Sequence, residues 1–146
     1  MDDLRRSAAM VGPEPVRLST GDKIRLLMRI WKCFLAVKLR SRREPLPRFV
    51  AKFGQPRQTT SRRIAPRRLS NAVPIALHIG PWRPTCLMNA LVLYRLLREQ
   101  GDPAELVIGL PDGAADHRGH AWVELETIDL GPFPGQHNHV ELARFS

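Results

Sequence analysis

The sequence predicts an α+β domain in which a cysteine-bearing helix lies against a small antiparallel sheet and a basic helical part occupies the N-terminal side. Three observations predict it. Apolar residues recur at helical spacing from Gly21 to Arg40 and again from Cys86 to Gln100. The period then changes: Ala104 to Leu110 is too short for a helix and carries Val107 and Ile108, and His120 to Glu126 alternates as a half-buried strand does. Charge is also divided, because residues 1 to 70 hold 18 Lys and Arg against 5 Asp and Glu, while residues 71 to 146 hold 5 against 9. A net charge of +9 thus splits into +13 and −4, which points to a basic docking face beside a nearly neutral chemical body.

With 146 residues, 43% apolar and 25% charged, the chain has room for one core and excludes a multidomain enzyme. The longest uncharged apolar run, Cys33 to Val37, is far short of the ~20 residues that span a bilayer. Met1-Asp2-Asp3-Leu4-Arg5-Arg6 leads into no apolar signal-peptide segment, so the expectation is a cytoplasmic chain with no membrane span. In that compartment Cys33 and Cys86 are expected to be reduced.

Residues 1 to 19 lack periodicity and contain Pro13 and Pro15, so they read as a mobile arm. The next helix places Ile24, Leu27, Met28, Trp31, Phe34 and Leu35 on one stripe, with Lys23, Arg25, Arg29 and Lys32 mostly elsewhere, and ends near Arg40 before Pro45 and Pro47. At 100° per residue Cys33 falls opposite the centre of that stripe, which marks it as an incidental thiol. Residues 41 to 70 carry Pro45, Pro47, Pro56 and Pro66 and paired arginines at 42/43, 62/63 and 67/68, and are expected to form short helices and loops. Pro81-Trp82-Arg83-Pro84-Thr85 opens the helix from Cys86, apolar around nearly its whole middle and therefore buried, with Gly101 at its C′ position. A polar loop, Pro111 to Gly119, separates the two strands. Ile128 to Ser146, with Gly131, Pro132, Pro134 and Gly135, reads as turn-rich with at most a short strand or helix at Val140 to Phe145.

The chemistry centres on Cys86. The first amides of a helix lack partners and the macrodipole is positive there, so a thiolate is stabilised and the same amides can receive an oxyanion. A buried, inert thiol is the plain alternative. His120, at the start of a strand downstream, supplies the second group: thiol hydrolases and acyl transferases pair such a Cys with an imidazole that takes its proton and returns it to the leaving group. A His bordering a core is otherwise a hydrogen-bonded structural residue. His117 in a loop, His78 before Gly80-Pro81, and His137 with His139 in the Gly/Pro-rich tail are weaker candidates. Two such ligands do not make a zinc site, so no metal is expected. Trp82 and Trp122 read as aromatics flanking the site or simply as core.

Cys86-Leu87, the helix through Ala90-Leu91-Val92-Leu93-Tyr94-Arg95-Leu96-Leu97, Gly101, the Ala104 to Gly109 strand and His120-Ala121-Trp122-Val123-Glu124 together resemble the lasso-peptide B2 proteins, which are transglutaminase-like cysteine peptidases of the microcin J25 processing type. The resemblance covers about residues 82 to 126 and implies a papain/transglutaminase-like core. The expected organisation is a 1–19 arm and a 20–146 single transglutaminase-like peptidase domain, the latter divided into a basic helical part (20–70) and a catalytic core (71–146). The resemblance gives Cys86 the nucleophile role and His120 the acid/base role in removing the leader from a ribosomally made precursor peptide. It further implies three partners: the precursor, a B1-like leader-recognition protein, and an asparagine-synthetase-like cyclase that closes the ring. The pathway's ATP dependence falls on no Gly-x-x-x-x-Gly-Lys-Ser/Thr element here, so no cofactor-binding motif is assigned.

In that family an Asp about a dozen residues after the His orients the imidazole, and here that spacing falls at Pro132. Asp129 is the nearest acid. A two-residue turn at Glu126-Thr127 would set Phe133 opposite His120 and Asp129 opposite Glu124, roughly 13 Å along the strand, so Asp129 reaches His120 only if the turn is irregular. Asn138 is a substitute acceptor, as in Cys-His-Asn enzymes. Two other readings stay open. The +13 half fits a nucleic-acid- or ribosome-associated module, although no RNP-like, zinc or helix-turn-helix signature interleaves its arginines, and nucleic acid is not the expected partner. A transglutaminase-like acyl transferase would use the same Cys86 and His120 with an amine in place of water.

Overall fold

A computed structural model describes residues 17–53, 64–80, 83–111, 119–133, 135 and 139–146. Four helices, α1 (Thr20–Arg40), α2 (Leu46–Phe53), α3 (Pro66–Ile79) and α4 (Cys86–Glu99), pack against an antiparallel sheet. Its strands are β1 (Ala104–Pro111), β2 (His120–Leu125), β3 (Ile128–Gly131) and β4 (His139–Phe145), in the order β3-β2-β1-β4. This is the α+β class read from the sequence.

Local chemistry starts and stops the helices. Ser19 and Asp22 form a capping box at the head of α1, the Ser19 hydroxyl accepting from Asp22 N–H at 3.2 Å. Thr85 caps α4, its Oγ1 accepting from Met88 N–H at 3.3 Å. Gly101 ends α4 at φ +91°, a left-handed conformation that glycine adopts without cost. Residues 89 to 97 of α4 are all buried, including Arg95, whose guanidinium meets Glu99 at 2.9 Å. Glu99 also receives Arg29 at 3.3 Å, which ties α1 to α4.

Two readings of the N-terminal part need correction. The buried stripe of α1 is Leu26, Ile30, Phe34 and Val37, whereas Ile24, Met28 and Leu35 are 57%, 47% and 49% exposed. Apolar residues cover so much of this helix that periodicity alone leaves its orientation undetermined; α3 and α4 decide it by where they pack. Cys33 consequently lies against the core, not opposite it, and burial pushes its thiol up to about 12. The second correction concerns α3, which runs unbroken from Pro66 to Ile79 through Pro74 where only short helices and loops were expected before residue 70. Pro66 suits the first turn, and the buried Leu69, Val73, Ala76 and Leu77 hold the helix together around the interior proline.

The sheet follows the sequence closely: β4 takes the place read as at most a short strand or helix at Val140 to Phe145, and β3 is added within the stretch read as turn-rich. Glu126 and Thr127, at φ 49° and 71°, make the two-residue turn between β2 and β3. Leu125 pairs with Ile128 and Glu124 with Asp129, after which a bulge at Leu130 brings Gly131 opposite Val123. β4 pairs with the other edge of β1, Pro111 facing His139. Ala121, Val123 and Leu125 of β2 point to the helical core, so His120, Trp122 and Glu124 share the opposite face. Among the described residues no helix is long and apolar enough to cross a membrane.

Candidate active site

Cys86 is the first residue of α4, half-buried and free of any disulfide. Thr85 already serves Met88 and Asn89 through its side chain and carbonyl, so the amides of Cys86 and Leu87 are the first-turn donors without a helical acceptor. The Cys86 thiol faces the start of β2, its Sγ 4.0 Å from the carbonyl oxygen of Gly119, the residue bonded to His120. Helix start and strand start therefore meet at one point of the fold.

His120 is oriented from behind. Its Nε2 lies 2.7 Å from the Phe133 carbonyl oxygen. A carbonyl only accepts, so Nε2 carries the proton, and in the neutral ring Nδ1 keeps the lone pair a thiol can donate to. Trp122 stacks on the ring with centroids 5.9 Å apart. Trp122 is itself fixed, its Nε1–H donating to Glu124 at 2.9 Å, and Glu124 is held by Arg144 of β4 at 2.9 Å. Arg144 also bonds Glu105 and Glu141; these bonds raise its own pKa and hold the Glu141 carboxyl below its usual range. A chain of contacts thus runs from the imidazole across three strands.

In this arrangement Asp129 grips the chain that follows β3. Its two carboxylate oxygens accept from Gly131 N–H at 2.8 Å and Gly135 N–H at 2.7 Å. The regular turn sets Asp129 opposite Glu124, as the two-residue hairpin required, and the carboxylate grips the loop that follows. That loop carries the Phe133 carbonyl to His120. Asn138, Trp82, His117 and His137 lie outside the described residues, and His78 is exposed at the end of α3.

One residue at this site was undervalued in the sequence. His139 sits with its ring centroid 4.7 Å from that of His120. The signal that points to it is Gly109, a glycine inside a β-branched strand. His120 pairs with Gly109 on one side of β1 and His139 with Pro111 on the other, and a Cβ at Gly109 would come within 2.9 Å of Trp122. The bare backbone there lets the rings meet across β1. Among the described residues no three His, Cys, Asp or Glu side chains gather as metal ligands. A groove of about 770 Å³ between α1 and α3, floored by Leu26, Leu27, Ile30, Ala72 and Ile75, contains neither Cys86 nor His120.

A family model described as the transglutaminase-like superfamily matches residues 30–139. No curated protein and no solved structure matches the chain.

Proposed function

Taking as premise that the chain belongs to the transglutaminase-like superfamily, a group of thiol enzymes, we propose that it is a cysteine peptidase that removes the leader from a ribosomally made precursor of the lasso-peptide class. The observation that carries the thiol chemistry is the placement of Cys86 Sγ at the head of α4, 4.0 Å from the oxygen of the residue preceding His120. In the proposed reaction His120 Nδ1 takes the thiol proton and Sγ attacks the carbonyl at the leader-core junction. The oxyanion sits against the Cys86 and Leu87 amides. The C–N bond then breaks as His120 protonates the departing amine of the core peptide. Water attacks the thioester, the S–C bond breaks, and the leader leaves as a carboxylic acid with the thiol restored.

The leader assignment rests on the residues of the Cys86 helix and the His120-Ala121-Trp122-Val123-Glu124 strand, and it brings the partners with it. A leader-recognition protein would present the precursor, and an asparagine-synthetase-like cyclase with its ATP would act afterwards. Arg25, Arg42 and Arg43 are exposed and suit docking, whereas Arg29 is taken up by Glu99. The test is incubation of the purified chain with a short precursor encoded in a neighbouring reading frame, read by mass spectrometry. Cleavage at one bond, accelerated by the leader-recognition protein and absent in Cys86→Ala, supports the reading. Transfer of the acyl group to an added amine without hydrolysis would replace it with the acyl-transferase reading.

A further inference from the structure

His139 opens β4 and is half-buried beside the imidazole that the reaction above uses as its base. Its ring lies 4.7 Å from His120 at an interplanar angle of 32°, and 5.7 Å from Trp122. With Trp122 stacked on His120, the three rings form a closed triangle. Its Nδ1 lies 3.0 Å from the Gly135 carbonyl oxygen, so Nδ1 carries a proton and donates.

Gly135 is where these contacts converge. Its N–H goes to Asp129 and its C=O receives His139. A Cβ there would fall 2.4 Å from Trp122 and 2.8 Å from His120 Cδ2, so the backbone itself packs on both rings. The acceptor that fixes His120, the Phe133 carbonyl, belongs to the same loop. Asp129 holds the loop at Gly131 and Gly135, and His139 holds Gly135 from the other strand.

We propose that His139 is a positioning residue for the thiol-imidazole pair: by tying Gly135 to β4 and packing on the His120 ring, it keeps Phe133 O on Nε2 and the plane of the imidazole fixed. The inference rests on the reading of Cys86 and His120 as that pair. An imidazole base needs one nitrogen anchored and its plane fixed; a carbonyl on a loop anchors only as well as the loop is held. Asp129 and His139 supply the two ends of that hold.

The experiment measures the rate at which iodoacetamide alkylates Cys86 in the full-length chain, located by peptide mass spectrometry, with melting temperatures recorded in parallel. His139→Phe keeps a flat ring but cannot donate to Gly135, and is expected to slow alkylation roughly fivefold to tenfold, the weight of one hydrogen bond. His139→Asn places a donor where Nδ1 was and is expected to stay within about twofold of wild type, whereas His139→Gln, with its donor near the Nε2 position, falls with the Phe variant. Should the Phe variant not fold, the Asn and Gln variants decide: Asn faster than Gln supports the proposal, and equal rates overturn it. A wild-type rate in folded His139→Phe also overturns it, even with a lowered melting temperature, because that is the mark of a packing role alone. If wild-type Cys86 reacts no faster than in His120→Ala, the thiol-imidazole pair itself fails and His139 has nothing to position.

Discussion

His120 Nε2 donates to the main-chain oxygen of Phe133 at 2.7 Å, and the Asp129 carboxylate stands one step behind, on the amides of Gly131 and Gly135. The His120 imidazole is therefore oriented by a backbone carbonyl on a loop, with the Asp129 carboxylate acting on the loop. This division of labour gives the variants at the site different expected sizes.

Asp129→Ala should slow turnover less than His120→Ala. Removing the imidazole takes away proton transfer worth about 10²- to 10⁴-fold, while removing the carboxylate frees two loop amides and costs on the order of tenfold through a looser Phe133 acceptor. Rates of leader cleavage by the two variants check this, with circular dichroism confirming that both are folded. Losses of equal size would mean that Asp129 contacts the imidazole directly during the reaction.

Gly135→Ala should damage the site more than an ordinary loop substitution. Its new methyl would meet Trp122 at 2.4 Å and His120 at 2.8 Å. Overpacking of this kind costs about 1–3 kcal/mol, which for a domain of this size lowers the melting temperature by roughly 3–10 °C. Alkylation of Cys86 should slow in the same variant, because the clash displaces the His120 ring.

Cys33 should resist iodoacetamide at pH 8 in the folded protein and react only on unfolding. Burial first, and the Glu99 carboxylate second, push its thiol from 9.0 to about 12, against the opposing Arg95 and Arg29. The sign follows from linkage: the folded thiol keeps its proton where the unfolded thiol loses it. The associated stability is present below the unfolded value and is lost as pH rises from about 9 through about 12. Denaturant melts across that range should show a falling stability that is shallower in Cys33→Ala. A slope unchanged by the substitution would contradict the burial argument.

Much of this fold was legible because its signals were local. Thr85 followed by an apolar stretch closed by Gly101 is a helix by capping and periodicity alone, and the β1 and β2 boundaries lie within one residue of those read from the sequence. Asp129 was placed correctly opposite Glu124 because the pairing rule of a two-residue turn is arithmetic. What escaped depended on tertiary contacts. The face that α1 buries is chosen by α3 and α4, and α3 tolerates Pro74 because its buried residues outweigh one lost hydrogen bond. His139 could be brought beside His120 only by knowing that β4 pairs with β1, although Gly109 was a visible hint.

The central claim, that Cys86 is a nucleophile served by His120, is tested most directly by trapping the acyl-enzyme. The chain is mixed with a candidate precursor, quenched in acid within the first turnover, and the adduct located by peptide mass spectrometry. The account predicts a leader-sized thioester on Cys86, absent in Cys86→Ala and strongly reduced in His120→Ala, with Cys33 unmodified in all three. Cleavage of the precursor by Cys86→Ala at the wild-type rate would contradict it.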